Sequence, residues 1–197
     1  MKKILICLLI SLVMISAFAF DMGRFSAGIS FGVSGSSEKS TEPNSVQVSS
    51  GKFGFVVRLR ADYMINDTMS ATLMVSYDQP SKTVLEKTYF TNSSETASPK
   101  YIKVFAGIST YSTTESLLVA AGVGPELAIE LTDGTIGGGA ATYLRTSYLL
   151  PGSNLMVDST VKGSAEWIKD MPDTDVHFYL DGDANIGFTY NFLSKNN

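Results

Sequence analysis

Apolar and small polar residues alternate along most of this chain. In residues 24–34, the odd positions from Phe25 to Val33 are apolar, whereas the even positions from Ser26 to Ser34 are serine or glycine. Successive side chains of a β-strand point to opposite faces, so this alternation predicts a strand with one apolar face. It recurs in residues 51–63, 69–78, 100–111, 116–131, 139–150, 155–168 and 175–192. The pattern predicts an all-β protein with eight strands.

The charged residues of these segments show that one face of each strand excludes charge. Every interior Asp, Glu, Lys and Arg lies on the face opposite the apolar one: Lys52, Arg58, Arg60, Asp62, Asp78, Lys103, Glu126, Glu130, Arg145, Asp158, Lys162, Glu166, Asp181 and Asp183. Either a protein core or a lipid bilayer would impose this separation.

Three further features favour lipid. The face that carries the charges is otherwise rich in Gly, Ser and Ala, which fit the crowded interior of a narrow barrel. The connections alternate in length, since 35–50, 79–99, 132–138 and 169–174 are longer than 64–68, 112–115 and 151–154. Aromatic residues mark one end of the strands (Phe25, Tyr63, Tyr148, Tyr190, Phe192) and the other (Phe53, Tyr77, Trp167). These features predict an eight-stranded antiparallel up-and-down transmembrane β-barrel, located in the cell outer membrane.

The N-terminus predicts export. Lys2 and Lys3 precede an apolar run over residues 4–15 that is too short to span a bilayer, and Ala17-Phe18-Ala19 supplies small residues for cleavage after Ala19. We therefore expect a signal peptide over residues 1–19 and a single barrel domain over residues 20–197. The only cysteine, Cys7, lies in the removed segment, so the mature chain has no thiol and no disulfide. A net charge of −4 without a basic tract argues against nucleic acid as a partner.

The last strand carries a recognisable motif. Asn185 is followed by Gly187 and then by two aromatic residues, Tyr190 and Phe192, close to the C-terminus. With this motif the chain resembles the small eight-stranded bacterial outer-membrane barrels of the OmpA, OmpX and OmpW type. The resemblance implies contact with outer-membrane lipid, help from periplasmic chaperones, and recognition of these four residues by the barrel-assembly machinery.

The strand count has one alternative. Residues 83–91 contain Val84, Leu85, Tyr89 and Phe90, which would suit a further strand. A single added strand would give an odd number and exchange the long and short sides, so we interpret this segment as a hairpin extension outside the membrane. A barrel of ten strands is the alternative.

The charges inside the predicted barrel are the main candidate site. Arg58, Arg60, Asp62, Glu126, Glu130 and Arg145 form a lumen charge network with two possible roles. They would line a pore as a selectivity ring or gate, or they would pair across a lumen that has room mainly for its own side chains. The second role is structural, and we favour it because unpaired buried charges are costly.

Other candidate motifs indicate less. His177 is the only histidine, and it would be the base of a lipid-modifying enzyme, but the deacylases of that type carry a serine two residues later, where this chain has Tyr179. Gly137-Gly138-Gly139 follows a strand with no helix after it, so we expect a flexible turn and no phosphate loop. Pro125 predicts a bulge in its strand. One histidine and no mature cysteine predict no metal site, and no cofactor is expected.

Three functions follow from these observations. The leading hypothesis is a non-enzymatic outer-membrane barrel with a structural or surface-interaction role, adhesion-like, in which loops 35–50 and 79–99 meet an extracellular ligand. The alternative is a narrow channel for ions or small apolar solutes. A lipid-modifying outer-membrane enzyme is the third hypothesis.

Overall fold

The computed structural model describes residues 24–39, 50–88, 91–97, 100–114, 116–132, 134–169 and 176–192. The predicted signal peptide lies outside these residues, as do the side chains of Lys52 and His177. The strands are β1 (Phe25–Lys39), β2 (Ser50–Met64), β3 (Met69–Thr88), β4 (Thr91–Ala97), β5 (Tyr101–Thr113), β6 (Leu117–Glu130), β7 (Ile136–Leu149), β8 (Leu155–Lys169) and β9 (Val176–Asn191). Within the described residues, no helix is both long and apolar enough to cross a membrane.

Eight of these strands close into an antiparallel barrel. Each pairs with its neighbour in the order β1, β2, β3, β5, β6, β7, β8 and β9, and β9 pairs again with β1. Strand β4 lies outside this ring because it pairs with the upper part of β3, from Lys82–Ala97 to Thr88–Thr91. The prediction of eight strands with a hairpin extension is therefore confirmed.

The pairing also defines how strongly the strands are inclined. When the register is followed once around the barrel from Phe25, it passes Tyr63, Ala71, Ile108, Val123, Thr142, Gly163 and Gly182 and returns to β1 at Gly35. It thus returns ten residues beyond its start. Such a stagger requires strands that are tilted against the barrel axis, and it determines which inward side chains meet across the lumen.

The two faces of the wall differ as the alternation predicts. In the described part of the chain, the outer face carries exposed large apolar side chains on seven of the eight strands of the ring, such as Leu59, Leu144 and Val161, which are between 53% and 57% exposed. On β3, the outward Leu73 and Val75 are half-buried. The inner face buries nearly all of the charged and hydroxyl-bearing side chains, among them Arg58, with 2% exposure. An apolar outside and a polar inside are the reverse of a water-soluble barrel, and they match a barrel surrounded by lipid.

Several local predictions need correction. Gly137-Gly138-Gly139 is not a turn, because these glycines pair with β6 on one side and with β8 on the other. The reason is packing: a Cβ on Gly139 would lie 2.0 Å from the carbonyl oxygen of Ala165. Strand β7 consequently begins at Ile136, and the outer connection between β6 and β7 is about as short as the periplasmic turns.

The irregularities of the ladders also differ from expectation. Around Pro125, pairing between β5 and β6 is interrupted between Phe105–Glu126 and Ile108–Val123, but the register is the same on both sides. Pro125 therefore leaves a gap in the ladder in place of the expected bulge, since proline has no amide hydrogen to donate. The shift of register lies elsewhere, in β2 between Lys52 and Phe55.

Candidate functional site: the charged lumen

The lower part of the lumen, toward the N-terminus of β1, contains a charge-balanced cluster. Asp62 accepts hydrogen bonds from Arg145 Nη1 at 2.6 Å and from Arg60 Nε at 3.0 Å. Arg60 also pairs through Nη2 with Asp158 at 2.8 Å. Thr72 donates to the second oxygen of Asp62 at 2.8 Å. We call Arg60, Asp62, Arg145 and Asp158 the lower cluster, in which two cations neutralise two carboxylates.

A second group of charges occupies the upper part of the lumen. Lys103 contacts Glu166 at 2.8 Å and Asp181 at hydrogen-bond distance. Lys162 lies 2.5 Å from Glu126. Arg58 Nη2 lies 2.5 Å from Asp183. The upper cluster comprises the cations Arg58, Lys103 and Lys162 and the carboxylates Asp78, Glu126, Glu166, Asp181 and Asp183.

The two clusters differ in charge balance. Among the described residues, the upper cluster has three cations for five carboxylates, whereas the lower cluster is balanced. Most of these side chains are buried almost completely, so they are held in place by pairing with each other and not by bulk water. The upper lumen therefore contains more carboxyl groups than cations, whereas the lower lumen contains equal numbers of the two.

An apolar layer lies between the clusters on one side of the lumen. Met74, Phe105, Ala141 and Tyr143 pack together there, each at most 3% exposed. The rings of Phe105 and Tyr143 meet edge to face with their centroids 5.8 Å apart. The Tyr143 hydroxyl lies 2.9 Å from Thr72 Oγ1, which joins this layer to the lower cluster. Aromatic side chains that fill the cross-section in this way exclude hydrated ions from that half of the lumen.

The periplasmic mouth is narrow. A cavity of about 20 Å³ opens there, which is room for about one water molecule. Asp62 and Arg145 of the lower cluster line its inner wall, and Arg24 and Tyr111 lie among its other residues. The lower cluster therefore narrows the lumen at this end to a space for about one water molecule.

The structure brings together most of the residues that the sequence singled out, although not in a single network. Arg60, Asp62 and Arg145 meet in the lower cluster, whereas Arg58 and Glu126 belong to the upper one. Glu130 stands at the end of β6, where its amide donates to Thr135 O at 2.8 Å. The partners Asp158, Lys103, Lys162, Glu166, Asp181 and Asp183 were not among the predicted site residues. In the alternating pattern these residues occupy the same face as the other inward charges, and this was the signal that would have included them.

The predicted assembly motif divides between the two faces of β9. Asn185 and Gly187 face the lumen, and Asn185 Nδ2 donates to Asp183 at 2.5 Å. Tyr190 and Phe192 face outward, with ring centroids 4.8 Å apart, and Phe192 also stacks near Phe25 at 5.8 Å. The two aromatic residues thus form part of a belt at the periplasmic rim, as the sequence predicts.

Gly187 holds the position where the barrel closes. It pairs with Ser30 across the seam between β9 and β1. A Cβ at this position would lie 2.2 Å from the carbonyl oxygen of Ile29, so the two strands approach each other too closely for any side chain. The glycine of the motif therefore has a direct role in the packing of the finished barrel.

The donor set of the lumen does not suggest metal chemistry. In the part of the chain that the structure describes, no three His, Cys, Asp or Glu side chains are arranged to hold a metal ion. The five lumen cations whose side chains are described, Arg58, Arg60, Lys103, Arg145 and Lys162, instead lie within ion-pair distance of a carboxylate. The arrangement is suited to holding the wall together and to filling the lumen.

Comparisons with known proteins find distant structural likenesses only. No family model matches the chain, and no curated protein matches it. Among solved structures, Neisserial surface protein A is similar with 16% identity and a TM-score of 0.49, over 85% of this chain and 96% of that one. Ail, the attachment invasion locus protein of Yersinia pestis, shares 15% identity with a TM-score of 0.43, over 85% and 99%. The outer-membrane protein AlkL shares 13% identity with a TM-score of 0.46, over 85% and 90%. Independently of these likenesses, the chain's own strand pairing and its two faces define a closed eight-stranded barrel of the outer-membrane type.

Proposed function

We propose that this protein is a non-enzymatic outer-membrane barrel that interacts with extracellular partners through strands extended beyond its outer rim. The observation that carries the proposal is the hairpin formed by the upper part of β3 and by β4. Outer-membrane lipid surrounds the wall in this proposal. The assembly machinery and periplasmic chaperones act only during insertion.

The hairpin extends beyond the end of β5, and β2 accompanies its β3 arm only as far as the pair Ser50–Thr83. Asp78 pairs with Tyr101, the first residue of β5, which marks the outer rim. Strand β3 continues for ten further residues to Thr88 and returns as β4 through the pair Thr88–Thr91. An extended strand of that length measures about 33 Å. Closure of a barrel needs no such extension, so the hairpin is available for another purpose.

The free edge of β4 indicates how a partner would be held. Among the described residues, β4 pairs with β3 alone, so its other edge leaves backbone N–H and C=O groups unused. The sequence of β4 is polar, Thr-Asn-Ser-Ser-Glu-Thr-Ala. Polar residues on an edge strand reduce its tendency to aggregate. A strand edge without a pairing partner accepts an added strand from an extended polypeptide.

Adhesion of displaying cells tests the proposal. In the shortened variant, residues 84–95 are replaced by Asn-Gly, which joins the paired residues Thr83 and Thr96 through a two-residue turn. Cells that display either form are compared for binding to fibronectin, collagen and mucin surfaces and for self-association. The matched control, Ser153→Ala, alters a turn at the opposite end of the barrel. We expect the shortened variant to insert normally and to lose binding that the control retains.

Two results would contradict the proposal. One is binding that is equal in the native and shortened forms. The other is a native form that neither binds these surfaces nor self-associates.

The channel alternative receives less support from the lumen. The ion pairs of both clusters and the apolar layer between them occupy the cross-section, which leaves no path for a hydrated ion. Planar-bilayer recording of the purified barrel tests this alternative, and stable unitary conductance would favour it over a filled lumen.

A further inference from the structure

Part of the lumen wall carries polar atoms that have no protein partner. Among the described residues, seven such buried atoms lie on β7, β8 and β9: Arg145 Nε, Ser147 Oγ, Asp158 Oδ1, Thr160 Oγ1, Glu166 Oε2, Asp181 Oδ1 and Asn185 Oδ1. Two more belong to Arg58 on β2 and one to Thr135 in the connection between β6 and β7, whereas the described residues of β3, β5 and β6 contribute none. Buried polar atoms without partners are costly, and native proteins satisfy them mostly with bound water.

The register places five of these residues next to one another. Arg145 pairs with Thr160, and Thr160 pairs with Asn185, so the three side chains form one row across β7, β8 and β9. Ser147 and Asp158 form the next row toward the periplasm. Directly paired residues have Cβ atoms about 5 Å apart, so bound water can bridge from one side chain to the next.

This polar strip reaches toward both ends of the barrel. At the lower end, Arg145 lines the periplasmic cavity. At the upper end, Asn185 donates to Asp183, which also holds Arg58. Asp181, two residues further along β9, keeps 14% of its side chain exposed. Polar side chains of the strip thus lie beside the periplasmic cavity, in the middle of the lumen and near the upper mouth, on the side opposite the Met74 and Phe105 side chains of the apolar layer.

We propose that the β7–β9 strip is a pathway for single-file water through the barrel, closed to hydrated ions. Bound water supplies the partners that the unpaired atoms lack. The ion pairs and the apolar layer fill the remaining cross-section, so a hydrated ion does not fit. The inference is independent of the proposed surface interaction, because the hairpin has no part in it.

Osmotic shrinkage of proteoliposomes, followed by stopped-flow light scattering, tests the pathway. We expect the native barrel to shrink faster than protein-free liposomes of the same lipid. Thr160→Val combined with Asn185→Leu removes two of the unpaired polar atoms and should return the rate to that of protein-free liposomes. Thr146→Val is the matched control, since Thr146 is exposed on the outer face of β7, next to Arg145.

Each result decides for or against the pathway. A native rate equal to that of protein-free liposomes would overturn it, whatever the variants do. An unchanged rate in the double variant would overturn it as well, provided that heat-modifiable gel mobility shows a folded barrel. If the double variant does not fold, Ser147→Ala is measured in its place and should slow the shrinkage. Conductance of potassium or chloride by the native barrel would show a wider pore and would also contradict the proposal.

Discussion

Removal of the Asp62 carboxylate is the sharpest test of the lower cluster. Arg60 keeps a second carboxylate, Asp158, when Asp62 is replaced by alanine. Among the described residues, Arg145 keeps no carboxylate within ion-pair distance, because Asp62 is its partner at 2.6 Å, and its side chain is 4% exposed. Breaking one side of a buried ion pair costs about 3–5 kcal/mol, mostly because a charge remains buried without compensation. We therefore expect Asp62→Ala to lower the free energy of unfolding by about that amount.

A double variant separates this cause from a general loss of packing. Asp62→Ala with Arg145→Met removes the orphaned charge and leaves Arg60 paired with Asp158. The double variant should consequently be more stable than Asp62→Ala alone. Urea titration in lipid vesicles measures both, with the fluorescence of Trp167, the only tryptophan, as the signal. A loss below about 1 kcal/mol, as found for exposed ion pairs, would refute the reasoning, and so would a double variant that is less stable than Asp62→Ala.

Three further predictions concern the wall and the apolar layer. Val161→Arg, which places a charge on the lipid face beside the native inward Lys162, should cost about 2–4 kcal/mol of folding free energy in bilayers, and an unaffected stability would argue against a lipid-facing position. Gly187→Val should block closure of the β9–β1 seam and reduce the heat-modifiable species on gels, whereas Gly182→Ala should not, because its Cβ would meet no atom nearer than 3.9 Å. Phe105→Ala should lower the free energy of unfolding by about 3–5 kcal/mol, measured by urea titration, and a near-neutral effect would show a loosely filled lumen.

The sequence predicts the faces of the wall because they depend on local geometry. Leu144 and Arg145 are neighbours in sequence, and the period of two places one outward and the other inward. The same parity applies to Val161 and Lys162. The apolar outer face, the polar lumen and the aromatic belts follow from this rule.

The pairing of charges across the lumen is not available from the sequence in the same way. Asp62 and Arg145 lie on β2 and β7, which are not adjacent, and they meet because of the stagger that accumulates around the barrel. That stagger is a property of the closed sheet and not of any one strand. The parity therefore shows which charges face inward, but not which carboxylate each cation will reach.

Tertiary packing also overrides local preference at the glycines of β7. Three consecutive glycines favour a turn in isolation, yet residues 137–139 are held between β6 and β8. The Ala165 carbonyl approaches Gly139 so closely that a side chain would not fit at this position of the strand. The hairpin at 83–91 shows the opposite case. A single added strand would have made the number of barrel strands odd, and this argument was sufficient to predict that the segment lies outside the ring.

The central claim is that the wall of this barrel faces lipid with its apolar side and encloses its charges. It is tested most directly with single tryptophans at the neighbouring positions 143 and 144, introduced as Tyr143→Trp and Leu144→Trp in a Trp167→Phe background. Lipids with brominated acyl chains quench a tryptophan that touches the hydrocarbon. We predict strong quenching at position 144 and little at position 143. Strong quenching at position 143, or a tryptophan at position 144 that escapes bromine but is quenched by aqueous acrylamide, would contradict the account.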